Sequence, residues 1–183
     1  MFITFEGGDG SGKSTQARLL FEQLEKAGYR VILTKEPGGT EAGKKIRELV
    51  LHDSLSPVAQ LLLFFADRVE HLDKVILPAI ADGNIVICDR YVDSTIAYQA
   101  YGKGLYNEVK NLNRINSFLA PDVTYWLDLD PLIALDRISI RNSEINNFDQ
   151  MHLDFHDRVY RGYLDLWNQP SDRIVRISAQ HSI

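Results

Sequence analysis

Short apolar runs alternate along the chain with stretches in which apolar residues recur every three or four positions. Residues 2–5, 31–33, 85–88, 123–129 and 174–177 are the strand candidates. They are continuous runs rather than strict alternations, as in strands covered on both faces of a parallel sheet. Between the first two runs, residues 14–26 carry Leu19, Leu20 and Leu24 at helical spacing, and Gly28 is a fitting stop. Residues 41–51 repeat the pattern with Ile46, Leu49 and Val50. Ser56-Pro57 reads as a cap followed by proline in the first turn. The helix it opens runs towards Ile80, with Pro78 expected to bend or break it. Further helices are expected over 94–101, 106–119, 131–141 and 151–168. Strand–helix alternation of this kind predicts an open α/β fold, a parallel five-stranded sheet with helices on both faces. Such sheets bind ligands beyond the carboxyl ends of their strands.

The chemically distinctive residues fall at those ends. After the first run comes Gly7-Gly8-Asp9-Gly10-Ser11-Gly12-Lys13-Ser14-Thr15, which fits the phosphate-loop pattern in its strand–loop–helix setting. Glycines let backbone N–H groups turn inward around a phosphate, and the helix beginning near Lys13 adds its positive end. In such a P-loop NTPase fold Lys13 is the cation for the β- and γ-phosphates, and Ser14 is a hydroxyl ligand for Mg2+. A carboxylate pointing into the loop would repel a triphosphate. Asp9 is therefore expected to turn away, towards a phosphoryl acceptor or its hydroxyls. Glu36-Pro37-Gly38-Gly39-Thr40 follows the second run, with a stiff turn and room for close backbone approach. Asp89-Arg90 ends the third run. Asp89 stands where P-loop proteins hold Mg2+ or its water, and Arg90 can fork onto a phosphate.

Composition narrows the reading. The chain has 183 residues, 45% hydrophobic and 25% charged, enough for one cored domain over 1–183 without repeats or linkers. A net charge of −5 argues against a nucleic-acid-coating protein but leaves room for a mononucleotide. Cys88 is the single cysteine, so no internal disulfide forms, and no Cys/His spacing suggests a metal site. Its apolar run makes it a packed core thiol. No signal peptide or membrane-length apolar run is evident, and a cytoplasmic protein is expected. The absence of an N-K-x-D element disfavours a GTPase.

Gly7 to Thr15, Glu36 to Thr40, Leu63-Phe64-Phe65-Ala66-Asp67-Arg68 and Asp89-Arg90-Tyr91-x-x-Ser94-Thr95-x-Ala97-Tyr98-Gln99 resemble the bacterial thymidylate kinases in order and spacing. The resemblance runs over essentially the whole chain. It implies transfer of the γ-phosphoryl group of MgATP to dTMP, giving dTDP and ADP for dTTP synthesis, by a homodimer. It also implies that Phe64 stacks on thymine, that Arg68 bonds the base, and that Ser94, Thr95 and Gln99 read its polar groups. Arg90 and Arg47 match acceptor-phosphate ligands, Glu36 and Pro37 match the acceptor loop, and Tyr98 matches the ring closing the sugar pocket. Thymidylate kinases without an arginine in the phosphate loop carry basic residues in a lid, here at about 141–150. Their Asp-Arg-(Ile/Phe)-Glu element reads Asn146-Asn147-Phe148-Asp149, which lacks the arginine. Arg137 and Arg141, four apart on one helix face, are the remaining candidates for stabilising the transferring group. Family members also continue past the last strand into a final helix, whereas this chain ends at Ile183. Two alternatives share the phosphate loop: another nucleotide or deoxynucleoside kinase, and an ATP-binding sensor. A sensor has no need of a second anion pocket such as Arg68, Arg90 and Tyr98 would form.

Overall fold

A computed structural model of the chain describes residues 1–116, 118–140, 146–149 and 151–180. Five strands form one parallel sheet: β1 (Phe2–Glu6), β2 (Val31–Lys35), β3 (Ile85–Asp89), β4 (Val123–Asp128) and β5 (Ile174–Ser178), in the order β2-β3-β1-β4-β5. Every residue of the central β1 is buried, and its sequence is apolar apart from Thr4 and Glu6, whose polar groups are hydrogen-bonded. The registers pair Phe5 with both Asp89 and Tyr125, and Lys35 with Asp89. The loops that follow β1, β2 and β3 therefore open on one edge of the sheet.

The helices are α1 (Lys13–Lys26), α2 (Glu41–His52), α3 (Pro57–His71), α4 (Leu77–Ala81), α5 (Val92–Thr95), α6 (Tyr106–Ile115), α7 (Pro131–Ile140) and α8 (Leu153–Trp167). Thr40 caps α2 by accepting from the Gly43 N–H at 2.9 Å, and Ser56 caps α3 ahead of Pro57. On one sheet face α8 packs Phe155, Val159, Tyr163 and Leu166 against Trp126, Ala97 and Tyr98. On the other, Ala17 and Leu20 of α1 meet Ile3, Phe5 and Ile87.

Three elements differ from expectation. Pro78 does not break the third helix. A π-helical turn over Leu72–Ile76 joins α3 to α4, and the Leu77 N–H reaches back to the Leu72 carbonyl. The wider turn shifts the hydrogen-bond frame, so Pro78 enters in the first turn of α4, where its missing N–H is tolerated. The helix expected over 94–101 begins at Val92 and becomes π-helical over Ile96–Gly102. The helix expected to reach 119 stops at Ile115. Asn116 leaves helical geometry while its side-chain amide donates to the Leu112 carbonyl.

Candidate active site

The phosphate loop is set by the glycines. Gly7 and Gly10 have φ of 141° and 78°; a Cβ there would sit 2.6 Å from the Leu127 carbonyl oxygen and 2.7 Å from that of Ala134. Gly12 precedes α1 with no side-chain cap and no acid in the first turn, which leaves the helix N–H groups open to an anion. Lys13 Nζ donates to the Gly8 carbonyl at 2.6 Å. Burial and the nearby Arg90 lower its pKa to about 8, against the pull of Asp9, Asp89 and Glu6. The Ser14 hydroxyl donates to the Asp89 carboxylate, whose other oxygen is buried without a partner. Gly10, Gly12, Lys13, Ser14, Thr15, Asp89 and Arg137 line one cleft of about 730 Å³. Gly7, Gly8 and Ser11 do not line it; the carbonyls of Gly7 and Gly8 instead accept from Arg90 and Lys13.

A second cleft gathers every acceptor-side residue singled out in the sequence: Glu36, Pro37, Arg47, Phe64, Arg68, Arg90, Ser94, Thr95, Tyr98 and Gln99. Asp9, Glu36, Arg47, Leu51, Arg90 and Asn146 line both clefts, so the two meet along one wall. Arg90 stands at the junction. Its Nη2 donates to Asp9 Oδ1 at 2.6 Å and to the Tyr98 hydroxyl at 3.1 Å, and its guanidinium lies 4.8 Å from the Tyr98 ring centre. Burial opposes its charge, but Tyr98, Asp9, Tyr163 and Asp89 outweigh burial and hold it protonated. The Tyr98 hydroxyl donates to Asp9 Oδ2 at 2.8 Å. Burial would raise the Asp9 pKa; Arg90, Lys13 and that hydroxyl instead bring it to about 2. Asp9 thus bonds Arg90 and Tyr98 where the two clefts meet, and it lines both of them.

Arg68 is buried among Phe65, Tyr91 and Phe118. It donates to Glu36 at 2.7 Å and to the Tyr91 carbonyl at 3.0 Å, and its Nη1 has no partner. Arg47 donates to the Pro37 carbonyl at 3.1 Å. The Ser94 hydroxyl is already taken by Glu6, Arg90 and Tyr163. Arg137 reaches the Gln180 carbonyl at 3.4 Å from the phosphate-side cleft. Arg141 lies outside the described residues, as does the part of the expected lid at 141–145 and 150. The described part, residues 146–149, docks on the end of α2. The Asn147 N–H donates to the Leu51 carbonyl, and its side chain donates to that of Asp53. Phe148 packs edge-on against Tyr98, 5.7 Å between ring centres, and so walls the acceptor cleft.

Sequence reasoning passed over Glu6, His71 and Tyr163, and quoted Phe148 only as part of the lid element. Glu6 was the visible one, a carboxylate ending an apolar strand just before the loop. The fold also brings Glu36, His71 and Cys88 together, their ligand atoms within 4.8 Å, which sequence spacing did not suggest. Those groups are engaged with protein partners: Glu36 with Arg68 and His71, His71 with Thr34, and Cys88 with the Arg90 carbonyl. Burial pushes the Cys88 thiol well above its usual pKa. Gly39 is required by this cluster, since a Cβ there would collide with the His71 ring.

Comparison with known proteins decides the family. The family model described as "Thymidylate kinase" matches residues 5–183. The chain belongs to the thymidylate kinase family. It is 51% identical over 185 residues to a thymidylate kinase of Synechococcus sp. (strain JA-2-3B'a(2-13)), covering all of this chain and 88% of that protein. It is 50% identical over 180 residues to one from Onion yellows phytoplasma, covering 96% and 86%. The crystal structure of thymidylate kinase from Ehrlichia chaffeensis superposes with a TM-score of 0.80 at 38% identity, covering 100% of this chain and 90% of that one.

Proposed function

We infer that this thymidylate kinase family member transfers the γ-phosphoryl group of ATP to dTMP, giving dTDP and ADP. The observation that carries the reading is Arg90, fixed by Asp9 and Tyr98 on the wall shared by a phosphate-loop cleft and a second, aromatic-lined cleft. ATP takes the first cleft, through the N–H groups of α1 and the charge of Lys13. The dTMP phosphate lies at Arg90 and Arg47, its base against Phe64 with the free Arg68 Nη1 as donor, its sugar beside Tyr98, and Thr95 and Gln99 at the base edge. Ser94 serves through Arg90, since its hydroxyl is committed. The acceptor is a phosphate monoester with a second pKa of ~6, a dianion at neutral pH, so no general base is needed. The protein's task is to bring two polyanions into line and meet their charge. Arg137 and Arg141 contribute to the transferring group from the lid side.

The Ser14 hydroxyl beside Asp89, with one carboxylate oxygen unpartnered, is an all-oxygen donor set that suits Mg2+. When bound there, Mg2+ neutralises phosphate charge. Val58, Leu62 and Val69 of α3 and Leu77 of α4 are exposed apolar residues, a surface that supports a homodimer. Among the described residues no helix is long and apolar enough to cross a membrane, and we assign the protein to the cytoplasm.

The test is a panel of nucleoside monophosphates with MgATP, scored for ADP release. The expected result is turnover with dTMP well above the others. A better ribonucleotide or purine substrate would remove the reading.

A further inference from the structure

Arg90 adopts a left-handed backbone, φ 72°, the only non-glycine positive φ among the described residues. That conformation is strained for a residue with a side chain and persists only where neighbours over-determine it. Here it swings the chain off β3 so that the guanidinium rises over the phosphate loop. The buried carboxylate of Glu6, at the end of β1, meets the residues that follow Arg90 with both of its oxygens. Its Oε1 accepts from the N–H of Tyr91, the residue after Arg90, at 2.8 Å, and from the Ser94 N–H at 3.2 Å. Its Oε2 accepts from the Ser94 hydroxyl at 2.5 Å and the Tyr163 hydroxyl at 3.0 Å. The same Ser94 oxygen accepts from Arg90 Nη1 at 3.0 Å, while Arg90 Nη2 faces Asp9. None of these partners leaves Glu6 facing either cleft, and Glu6 lines neither.

We propose that Glu6, through Ser94 and the Tyr91 N–H, is the positioning residue that holds Arg90 ready for the acceptor phosphate. The polarity of the chain of bonds requires the carboxylate. An ionised Glu6 only accepts, so the Ser94 proton points to it and the Ser94 lone pairs point to Arg90. A protonated Glu6 must itself donate. The acceptors in reach are the Ser94 and Tyr163 hydroxyls, and a donation to Ser94 competes with Arg90 for the same oxygen. The remaining charged or titratable groups acting on or near this site are Asp93 from α5, Lys13 from the phosphate loop, Cys88 from β3 and Arg173 ahead of β5. Burial and Asp93 raise the Glu6 pKa to about 7, against Ser94, Arg90 and the Tyr91 N–H. The competent form is therefore lost as pH falls through neutrality.

The proposal rests on Arg90 being the acceptor-phosphate ligand, and the experiment separates the two. Steady-state KM values for dTMP and ATP are measured from pH 5.5 to 8.5 for the parent, Glu6→Gln, Ser94→Ala, Arg90→Ala and the double variant Glu6→Gln/Arg90→Ala. At pH 8 Glu6→Gln is expected to raise the dTMP KM about tenfold, the usual worth of one charge-assisted hydrogen bond, with the ATP KM nearly unchanged. The parent's dTMP KM should rise as pH drops through about 7. In the variant that limb disappears, leaving only the one from the substrate phosphate at ~6. In the double variant Glu6→Gln should add nothing to Arg90→Ala, because both act through one group. A folded Glu6→Gln enzyme with parental dTMP KM and pH profile overturns the proposal, as do losses that add in the double variant. Should Glu6→Gln not fold, Ser94→Ala decides: a raised dTMP KM with a flattened limb near 7 supports the relay, and parental behaviour overturns it. An Arg90→Ala enzyme with unchanged dTMP KM removes the assignment of Arg90 itself, and the proposal with it.

Discussion

Lys13 carries the site's most exposed dependence on charge. Its ammonium now rests on the Gly8 carbonyl inside the loop and gains polyphosphate oxygens when ATP binds. Lys13→Ala should lower kcat by two to three powers of ten, about 2.7–4 kcal/mol, as when a preorganised transition-state donor is deleted. The melting temperature should stay near the parent's. Near-parental turnover in a folded variant would strip Lys13 of the role. Since burial lowers its pKa to about 8, the free enzyme loses this cation as pH rises through that value. kcat/KM for ATP, which reports free-enzyme ionisations, should fall above pH 8 accordingly. Tyr98 is the other residue with a separable role. Its ring is wedged between Phe148 and Phe155, and its hydroxyl is spent on Asp9 and Arg90. An added 2′-hydroxyl finds neither room nor a partner there. Tyr98→Leu should narrow the preference for dTMP over its ribose counterpart, measured as a ratio of kcat/KM values. An unchanged ratio in an active enzyme would assign sugar selection elsewhere.

At the scale of elements, α7 and the segment after it carry the remaining arginines. Arg137 already lines the phosphate-side cleft. The Asn147 position, where the family resemblance implies a lid arginine, is instead anchored to carbonyls at the end of α2. Arg137→Ala and Arg141→Ala should each lower kcat with little change in dTMP affinity, at least one by about tenfold, roughly 1.4 kcal/mol. Parental turnover in the double variant would return the transition-state charge to Lys13 and Arg90, or to a partner subunit. How much of this the sequence disclosed follows from what each element needs. The central strand was legible because a doubly covered parallel strand is mostly apolar, and β1, buried end to end, carries only Thr4 and Glu6 as polar residues. The phosphate loop was legible because its glycines and lysine have few substitutes. The π-helical turns were not, since one wide turn leaves the apolar spacing of its helix almost unaltered. The stop of α6 was not, because the decisive bond is a single Asn116 amide to Leu112. Glu6, Tyr163 and His71 act through contacts 35 to 157 residues away in sequence, which no local pattern records.

For the whole molecule, two quantities are measurable. The apolar residues of α3 and α4 are half open to solvent, Leu62 at 51% and Val69 at 48%. Leu62→Glu should shift the sedimenting species from dimer towards monomer; a parental profile would place the dimer surface elsewhere. Stability should also depend on pH with a definite sign. Glu6 and Asp67 have pKa values raised to about 7 and about 6, chiefly by burial, so the folded state holds those protons more tightly than the unfolded chain. The contribution of Glu6 is full below about 4.5 and that of Asp67 below about 3.8, and they are lost as pH rises through about 7 and about 6. Asp9 runs the other way: it stabilises above about 3.8 and fails only as pH falls towards 2. The melting temperature should therefore be higher near pH 5 than at pH 8, and Glu6→Gln should flatten that slope. A parental slope in the folded variant would move the dependence to other groups.

The turn at 146–149 has a consequence for the far end of α2. By accepting from the Asn147 N–H, the Leu51 carbonyl gains a partner that a helix terminus ordinarily lacks. Fraying of that last turn is thereby tied to a segment almost a hundred residues on, and Arg47 sits one turn earlier on the same helix. Whatever loosens the turn should unlatch the helix end. Amide hydrogen exchange at residues 50–53 then becomes a gauge of whether the turn is seated. Asn147→Pro, which deletes the donor, should quicken exchange there while β1 and β3 keep their protection.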